Sequence, residues 1–261
     1  MIDISGIRIV ITGATDGLGL YLTKEFINTH DAKIVAIGKR DISETPLYCI
    51  KDKIEYIKYD LRDPNNISDL VDRTINVYNG VDLLINNACH LESEGTLSIN
   101  YNHLLDHFNV NTFSPLLFTS QIIQEMKKDD FGRIIMINTE SSLQVREGLA
   151  SYSSSKVALL SLNRAIAQAL RGHNITSNSI LFSSLATPYY LNEYQKAADN
   201  LNVDVREFTS NFLQKNFPYS TYDSLIPLET VLDTIMFIYS SNNSLNGLNW
   251  KIDGGALSTI I

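Results

Sequence analysis

The chain has 261 residues, 44% hydrophobic and 19% charged, which suits a globular α/β fold with a substantial core and excludes a disordered chain. A formal net charge of −8 with no basic run to meet phosphates excludes nucleic acid as the main partner. With no bilayer-length apolar stretch, no signal-peptide pattern and only two cysteines, Cys49 and Cys89, the expectation is a cytoplasmic protein with no membrane partner and no disulfide framework.

Arg8-Ile-Val-Ile-Thr12 is a short β-branched apolar run and reads as a buried strand. Gly13-Ala-Thr15-Asp16-Gly17-Leu18-Gly19 follows, then a helical pattern through Leu22, Phe26 and Ile27. In the order strand, glycine turn, helix, the glycines let a diphosphate approach the backbone, and the helix N-terminus offers it free N–H groups. Ile34-Val-Ala-Ile37 is the second strand and ends at Gly38-Lys39-Arg40, with no carboxylate before Asp41. In dinucleotide-binding folds an acidic residue here holds the ribose 2′-hydroxyl of NAD, and a basic one the 2′-phosphate of NADP. The two cations favour NADP(H), with NAD(H) the alternative; Asp16 in the glycine turn weighs the other way.

Residues 54–59 alternate as a third strand, with Asp60-Leu61 at its end where an adenine could rest. A polar helix spans about 65–78, and Asp82-Leu-Leu-Ile85 is a fourth strand running into Asn86-Asn87-Ala88-Cys89. Residues 104–126 form a long apolar-rich helix containing Asn111, with Pro115 expected to bend it. His103 and His107 share a helical face there, but without a third ligand no metal site is expected. Arg133-Ile-Ile-Met-Ile137 is the fifth strand and leads to Asn138-Thr139-Glu140-Ser141-Ser142.

Ala150-Ser-Tyr152-Ser-Ser-Ser-Lys156 opens the next helix, and its spacing sets the Tyr152 hydroxyl beside the Lys156 ammonium. A cation within about 4–6 Å favours the phenolate, so the pair predicts a tyrosine of lowered pKa, able to exchange a proton near neutral pH. Residues 175–181 form the sixth strand. From 188 to 227 the pattern loosens around Tyr189, Tyr190, Tyr194, Phe208, Phe212, Phe217, Tyr219 and Tyr222, which reads as a helical lid lining a pocket or packing on itself. A helix over 228–239 and a strand over 248–252 close the chain.

Strands and helices alternate throughout, which predicts a doubly wound parallel α/β sheet with helices on both faces and a small helical lid. No repeat or linker divides it, so residues 1–261 are expected to form a single domain. Every motif above falls on the carboxyl edge of the sheet, where such sheets bind ligands.

Taken together, the motifs resemble the compact single-domain branch of the short-chain dehydrogenase/reductase family, a Rossmann-like fold, over nearly the whole chain. Thr12-Gly-Ala-Thr-Asp-Gly-Leu-Gly19 is similar to its cofactor loop, Asn86-Asn87-Ala88 to the segment ending its fourth strand, and Tyr152-x-x-x-Lys156 to its catalytic pair. Asn246-Gly247 and Asp253-Gly-Gly255 resemble its C-terminal signature. The resemblance implies reversible hydride transfer between nicotinamide C4 and a secondary alcohol or ketone. It gives Tyr152 the role of general acid/base, Lys156 the nicotinamide ribose, Asn111 a relay water and Thr187 the nicotinamide carboxamide. It also implies a homodimer or homotetramer formed through the helices over 104–126 and 150–170.

Three positions depart from the family pattern. Thr139, thirteen residues before Tyr152, stands where the resemblance expects a substrate-orienting serine, with Ser141 and Ser142 close by as alternatives. Cys89 replaces a glycine after Asn-Asn-Ala, and Phe182-Ser183 replaces a Pro-Gly turn, so Phe182 could itself cover the nicotinamide. These departures keep open a second reading, a non-catalytic dinucleotide-binding sensor or scaffold.

Overall fold

The computed structural model describes residues 5–257. Its strands are β1 (Arg8–Thr12), β2 (Lys33–Gly38), β3 (Glu55–Lys58), β4 (Leu83–Asn86), β5 (Gly132–Thr139), β6 (Ile175–Phe182) and β7 (Asn249–Ile252). They form one parallel sheet in the order β3-β2-β1-β4-β5-β6-β7. Val10 pairs with Val35 on one side and Leu84 on the other, so β1 and β4 are neighbours and the winding reverses between them. That reversal leaves a crevice beyond the carboxyl ends of β1 and β4, because the connections leave in opposite directions.

The inner strands β1, β2 and β4 read as apolar runs because both sheet faces are covered there, whereas the edge strands β3 and β7 are partly exposed. Ile9 and Ile11 point into one layer with Leu22 and Phe26 of α1 (Gly17–His30) and Val231 and Ile235 of α8 (Leu228–Ser240). Val10 points into the other layer with Leu70 of α2 (Ile67–Tyr78), Phe118 and Ile122 of α4 (Ser114–Met126) and Leu159 of α5 (Ala150–Ala169). Successive strand residues face opposite sides, so one short strand serves both cores.

The long helix expected over 104–126 is three pieces: α3 (Tyr101–Phe108), a π-helical turn at Asn109–Phe113, and α4. The irregularity lies before Pro115, where the Ser114 N–H bonds the Asn109 carbonyl five residues back. Pro115 sits in the first turn of α4, where proline is tolerated. As a proline it also offers no N–H to the Asn111 carbonyl, its partner in an uninterrupted α-helix.

The lid is two helices, α6 (Pro188–Leu201) and α7 (Val205–Asn216). Its ends are tied at the base, where Ala186 N–H donates to the Ile226 carbonyl at 2.8 Å and Ile226 N–H to the Ser184 carbonyl at 2.9 Å. Among the described residues no helix is long and apolar enough to cross a membrane, and no three His, Cys, Asp or Glu side chains are gathered to hold a metal ion.

Candidate active site

The glycine turn is stitched to the end of β4. Thr12 Oγ1 accepts the Asn87 and Ala88 N–H groups at 3.0 Å each, and Asn87 Nδ2 donates to the Thr12 and Gly13 carbonyls at 3.0 and 3.1 Å. Gly13, at φ +65°, has no room for a side chain, since a Cβ would lie 2.7 Å from Ala88 Cα. Asp16 caps α1, accepting the Gly17 N–H at 2.7 Å. Around this knot lies a cavity of about 570 Å³. Of the sequence-predicted residues, Gly13, Thr15, Asp16, Gly17, Lys39, Arg40, Asp60, Leu61, Asn87 and Ala88 line it.

Leu18 does not; its side chain is in the core, 6% exposed, so only its backbone belongs to the turn. Gly19 sits behind the turn, pressed against the Gly13 carbonyl. Phe182 is partly buried and packs on the core layer with α1 and α8, and it is not among the residues lining the cavity. Thr187 caps α6, accepting the Tyr190 N–H at 3.4 Å, and its methyl lies 3.7 Å from the point where a Cβ on Gly17 would stand. The lid therefore starts at the glycine turn, and Tyr189 joins the cavity wall.

At the end of β2 the structure gives a steric reason for glycine. A Cβ on Gly38 would stand 2.5 Å from Thr15 Cγ2 and 2.8 Å from Tyr56 Oη. An acidic side chain is shut out there, and Lys39 and Arg40 face the cavity instead. Arg40 is braced by its Nη2 on the Thr15 carbonyl at 3.3 Å and by Tyr56 Oη donating to its own carbonyl at 2.6 Å. Sequence reasoning missed Tyr59, Arg62, His90 and Val110 on the wall. Arg62 grips Asp60 at 2.6 Å and holds that carboxyl below the usual range. A basic residue two positions after Asp60, in the segment following a strand's carboxyl end, was the signal that could have found it.

The second half of the site lies along α5. Asn111, in the π turn, is fully buried and saturated: its Oδ1 accepts the His90 N–H at 2.8 Å, and its Nδ2 donates to the His90 carbonyl at 2.8 Å and Ser155 Oγ at 3.0 Å. Its side chain thus clamps the loop after β4 to the second turn of α5. Lys156 is 2% exposed and donates from Nζ to the Ile137 carbonyl at 3.0 Å.

Tyr152 Oη lies 4.0 Å from Cys89 Sγ. The expected lowering of its pKa is overturned in this environment. Burial pushes the phenol well up, the charged forms of Cys89 and Glu140 push the same way, and Thr139 is its other side-chain neighbour. Burial removes the water that would solvate a phenolate, and that penalty outweighs shared-face proximity to a lysine turned toward a backbone carbonyl.

Thr139 is thereby placed against Tyr152, whereas the Ser141 hydroxyl is directed at Glu140 Oε1 at 3.1 Å and Ser142 at the Thr139 carbonyl at 2.7 Å. The lid aromatics form a connected chain of rings. Tyr194, Phe208 and Phe212 pack edge-on and stacked among themselves. Tyr190 stands edge-on between Tyr189 and Tyr194, and burial, with the charged forms of Cys89, Tyr189 and Glu140 behind it, raises its pKa.

A family model described as "short chain dehydrogenase" matches residues 8–197. An uncharacterized oxidoreductase of Bacillus subtilis, YvrD, is 25% identical over 97% of both chains. A 3-oxoacyl-[acyl-carrier-protein] reductase of Buchnera aphidicola is 28% identical, covering 94% of this chain and 95% of the relative. In fold, the chain is similar to L-sorbose reductase from Gluconobacter frateurii complexed with NADPH and L-sorbose, at TM-score 0.87 and 20% identity, covering 99% of this chain and all of the other. It is also similar to 4-hydroxyisoleucine dehydrogenase complexed with NADH, at TM-score 0.77 and 20% identity, over 97% of this chain and 100% of that one.

Proposed function

The chain belongs to the short chain dehydrogenase family, and from that premise we propose that it is a nicotinamide-dependent oxidoreductase interconverting a secondary alcohol and a ketone, with Tyr152 as general acid/base. One observation carries the reading. Cys89 lines the cleft built by the glycine turn and also lies 4.0 Å from Tyr152 Oη, so the acid/base candidate opens onto that cleft.

The cleft fits a dinucleotide: the glycine turn leaves room only for backbone beside its anion-binding N–H groups. When bound, the nicotinamide supplies or accepts the hydride at C4. Gly13, Thr15, Asp16, Gly17 and Gly19 would hold the diphosphate, Leu18 contributing backbone alone. Asp60 and Leu61 would border the adenine, Asn87 and Ala88 the nicotinamide side, Lys156 the ribose and Thr187 the carboxamide. Tyr152 gives its proton to a carbonyl oxygen, or takes one from an alcohol, and Thr139 steadies that oxygen. The Asn111 carbonyl would hold the water that returns the proton.

NADP(H) is the preferred cofactor in this reading, because Gly38 excludes a carboxylate and two cations follow it. The fold neighbours carry either cofactor, so the preference rests on these residues. Lys39→Ala and Arg40→Ala are each expected to lower the NADPH-over-NADH preference in kcat/KM about tenfold, the scale of one charge-assisted hydrogen bond. An unchanged ratio would sink the assignment.

The reading itself is tested by mixing the protein with NADPH or NADH and 2,3-butanedione, 9,10-phenanthrenequinone or fructose and following nicotinamide absorbance. Cofactor consumption is expected, and binding without turnover would favour a sensor instead. In the same assay Thr139→Ala is expected to lose about 10²-fold, as for one donor to a reacting oxygen, and Ser141→Ala only a few-fold. Equal or reversed losses would move the role to Ser141. A homodimer or homotetramer is proposed on half-exposed Phe113, Leu117 and Val157, presented by the π turn, α4 and α5.

A further inference from the structure

Glu140 is a buried carboxylate to which the reading above gives no task. It is 4% exposed and follows Thr139 directly at the end of β5. Its Oε2 accepts the Thr139 hydroxyl at 2.5 Å, and its Oε1 accepts the Ser141 hydroxyl and Arg146 Nη2, each at 3.1 Å. The Thr139 oxygen also accepts the Ser141 N–H at 3.2 Å. A hydroxyl has one proton and two lone pairs. With the proton on Glu140 and one lone pair on the Ser141 amide, Thr139 keeps a single lone pair for the side facing Tyr152. It can accept from an alcohol, but it has nothing to donate to a carbonyl oxygen.

We propose that Glu140 is a positioning residue that sets the polarity of the Thr139 hydroxyl, so that a carbonyl substrate is received only when Glu140 carries a proton. The inference rests on the oxidoreductase reading above. The protonated acid donates from Oε2 to the Thr139 oxygen, and the Thr139 hydroxyl then donates to the carbonyl oxygen beside Tyr152. One proton is taken from solvent at Glu140 as the carbonyl binds and returned once the alcohol has left. No bond to carbon changes at this pair. With Glu140 ionised the Thr139 hydroxyl can only accept, and it then offers a carbonyl oxygen no donor.

The charged and titratable groups around Glu140 come from every element packed on it. Arg146 approaches from the following loop, Tyr152 from α5, Tyr190 from α6, and Cys89 from beyond β4 on the far side of Tyr152. Arg146 is the cation in contact, and its guanidinium also lies 4.4 Å from the Phe217 ring centroid beyond α7. Lys156 is engaged with the Ile137 carbonyl.

Glu140→Gln mimics the protonated acid. Its amide nitrogen can donate to Thr139 while its oxygen keeps Ser141 and Arg146. The wild-type kcat/KM for reducing the three carbonyl probes is expected to fall about tenfold per pH unit above an inflection. Glu140→Gln should be flat over the same range, and Arg146→Gln should move the inflection to higher pH by removing the cation that favours the carboxylate. A second readout needs neither cofactor nor turnover: the infrared difference between wild type and Glu140→Gln should gain a carboxylic C=O band on acidification, and that band should shift in Thr139→Val. Equal slopes in wild type and Glu140→Gln, or a band indifferent to Thr139→Val, overturn the proposal. A protein that reduces none of the probes at any pH removes the oxidoreductase reading, and this inference with it.

Discussion

Tyr152→Phe is expected to lower turnover of any alcohol or carbonyl substrate about 10³-fold, within the range of general acid–base catalysis, while cofactor binding stays within a few-fold. The substitution removes one oxygen and keeps the ring, which is 7% exposed beside the buried His107. The lost contacts, Cys89 Sγ at 4.0 Å and the Thr139 hydroxyl, are too weak to unfold the chain. The pH dependence follows from the raised pKa. Burial, Cys89 and Glu140 keep the phenol protonated through neutral pH, so the form that donates to a carbonyl is abundant and the phenolate that accepts from an alcohol is scarce. Alcohol oxidation by wild type should therefore climb toward alkaline pH, and the climb should be absent from Tyr152→Phe. Turnover within tenfold of wild type in the variant would remove Tyr152 from its role.

Gly19→Ala is expected to abolish measurable cofactor binding and to lower stability by about 1–3 kcal/mol, the usual cost of overpacking a tight site. The added methyl would lie 2.3 Å from the Gly13 carbonyl oxygen and 2.6 Å from Asn87 Nδ2. Neither neighbour is a loose side-chain end. The carbonyl is part of the turn, and Asn87 Nδ2 is held between the Thr12 and Gly13 carbonyls. Relief requires moving the turn off the end of β4, which dismantles the cleft floor. Calorimetric titration with NADPH and a thermal melt would check both halves. Gly6→Ala, at a position with nothing within 4 Å of the new Cβ, serves as a surface control for cofactor binding. Retained affinity in Gly19→Ala would mean that the close approach does not matter to the site.

The two substitutions differ in how visible their reasons are in the chain. Gly19 was legible, because a strand, a glycine turn and a helix in that order leave little else for the third glycine to do. The central strands were equally legible, since β1 and β5 are apolar runs buried on both faces, while β3 showed as an alternating segment. Asn111 was legible through the relay-water role that the family resemblance implies, but not the shape of the turn that holds it. Pro115 drew the attention, yet the irregularity is a π turn before it, set by which carbonyl the Ser114 N–H reaches. Phe182 was legible as the end of β6, but its packing on the core layer with α1 and α8 was not, because strand register decides which side of the sheet a ring takes.

By itself the sequence determined the order of elements, the edge of the sheet on which the motifs gather, and the family, because these depend on local periodicity and on residues a few positions apart. The tertiary structure decided the acidity of Tyr152. Helical spacing to Lys156 predicted a lowered pKa, but the groups that govern it are burial by surrounding elements and Cys89, 63 residues away in the chain. It also decided which hydroxyl meets Tyr152, and that Glu140 and Arg146 stand behind it. Charge and desolvation act through space over a few ångströms, and only the folded chain sets those distances.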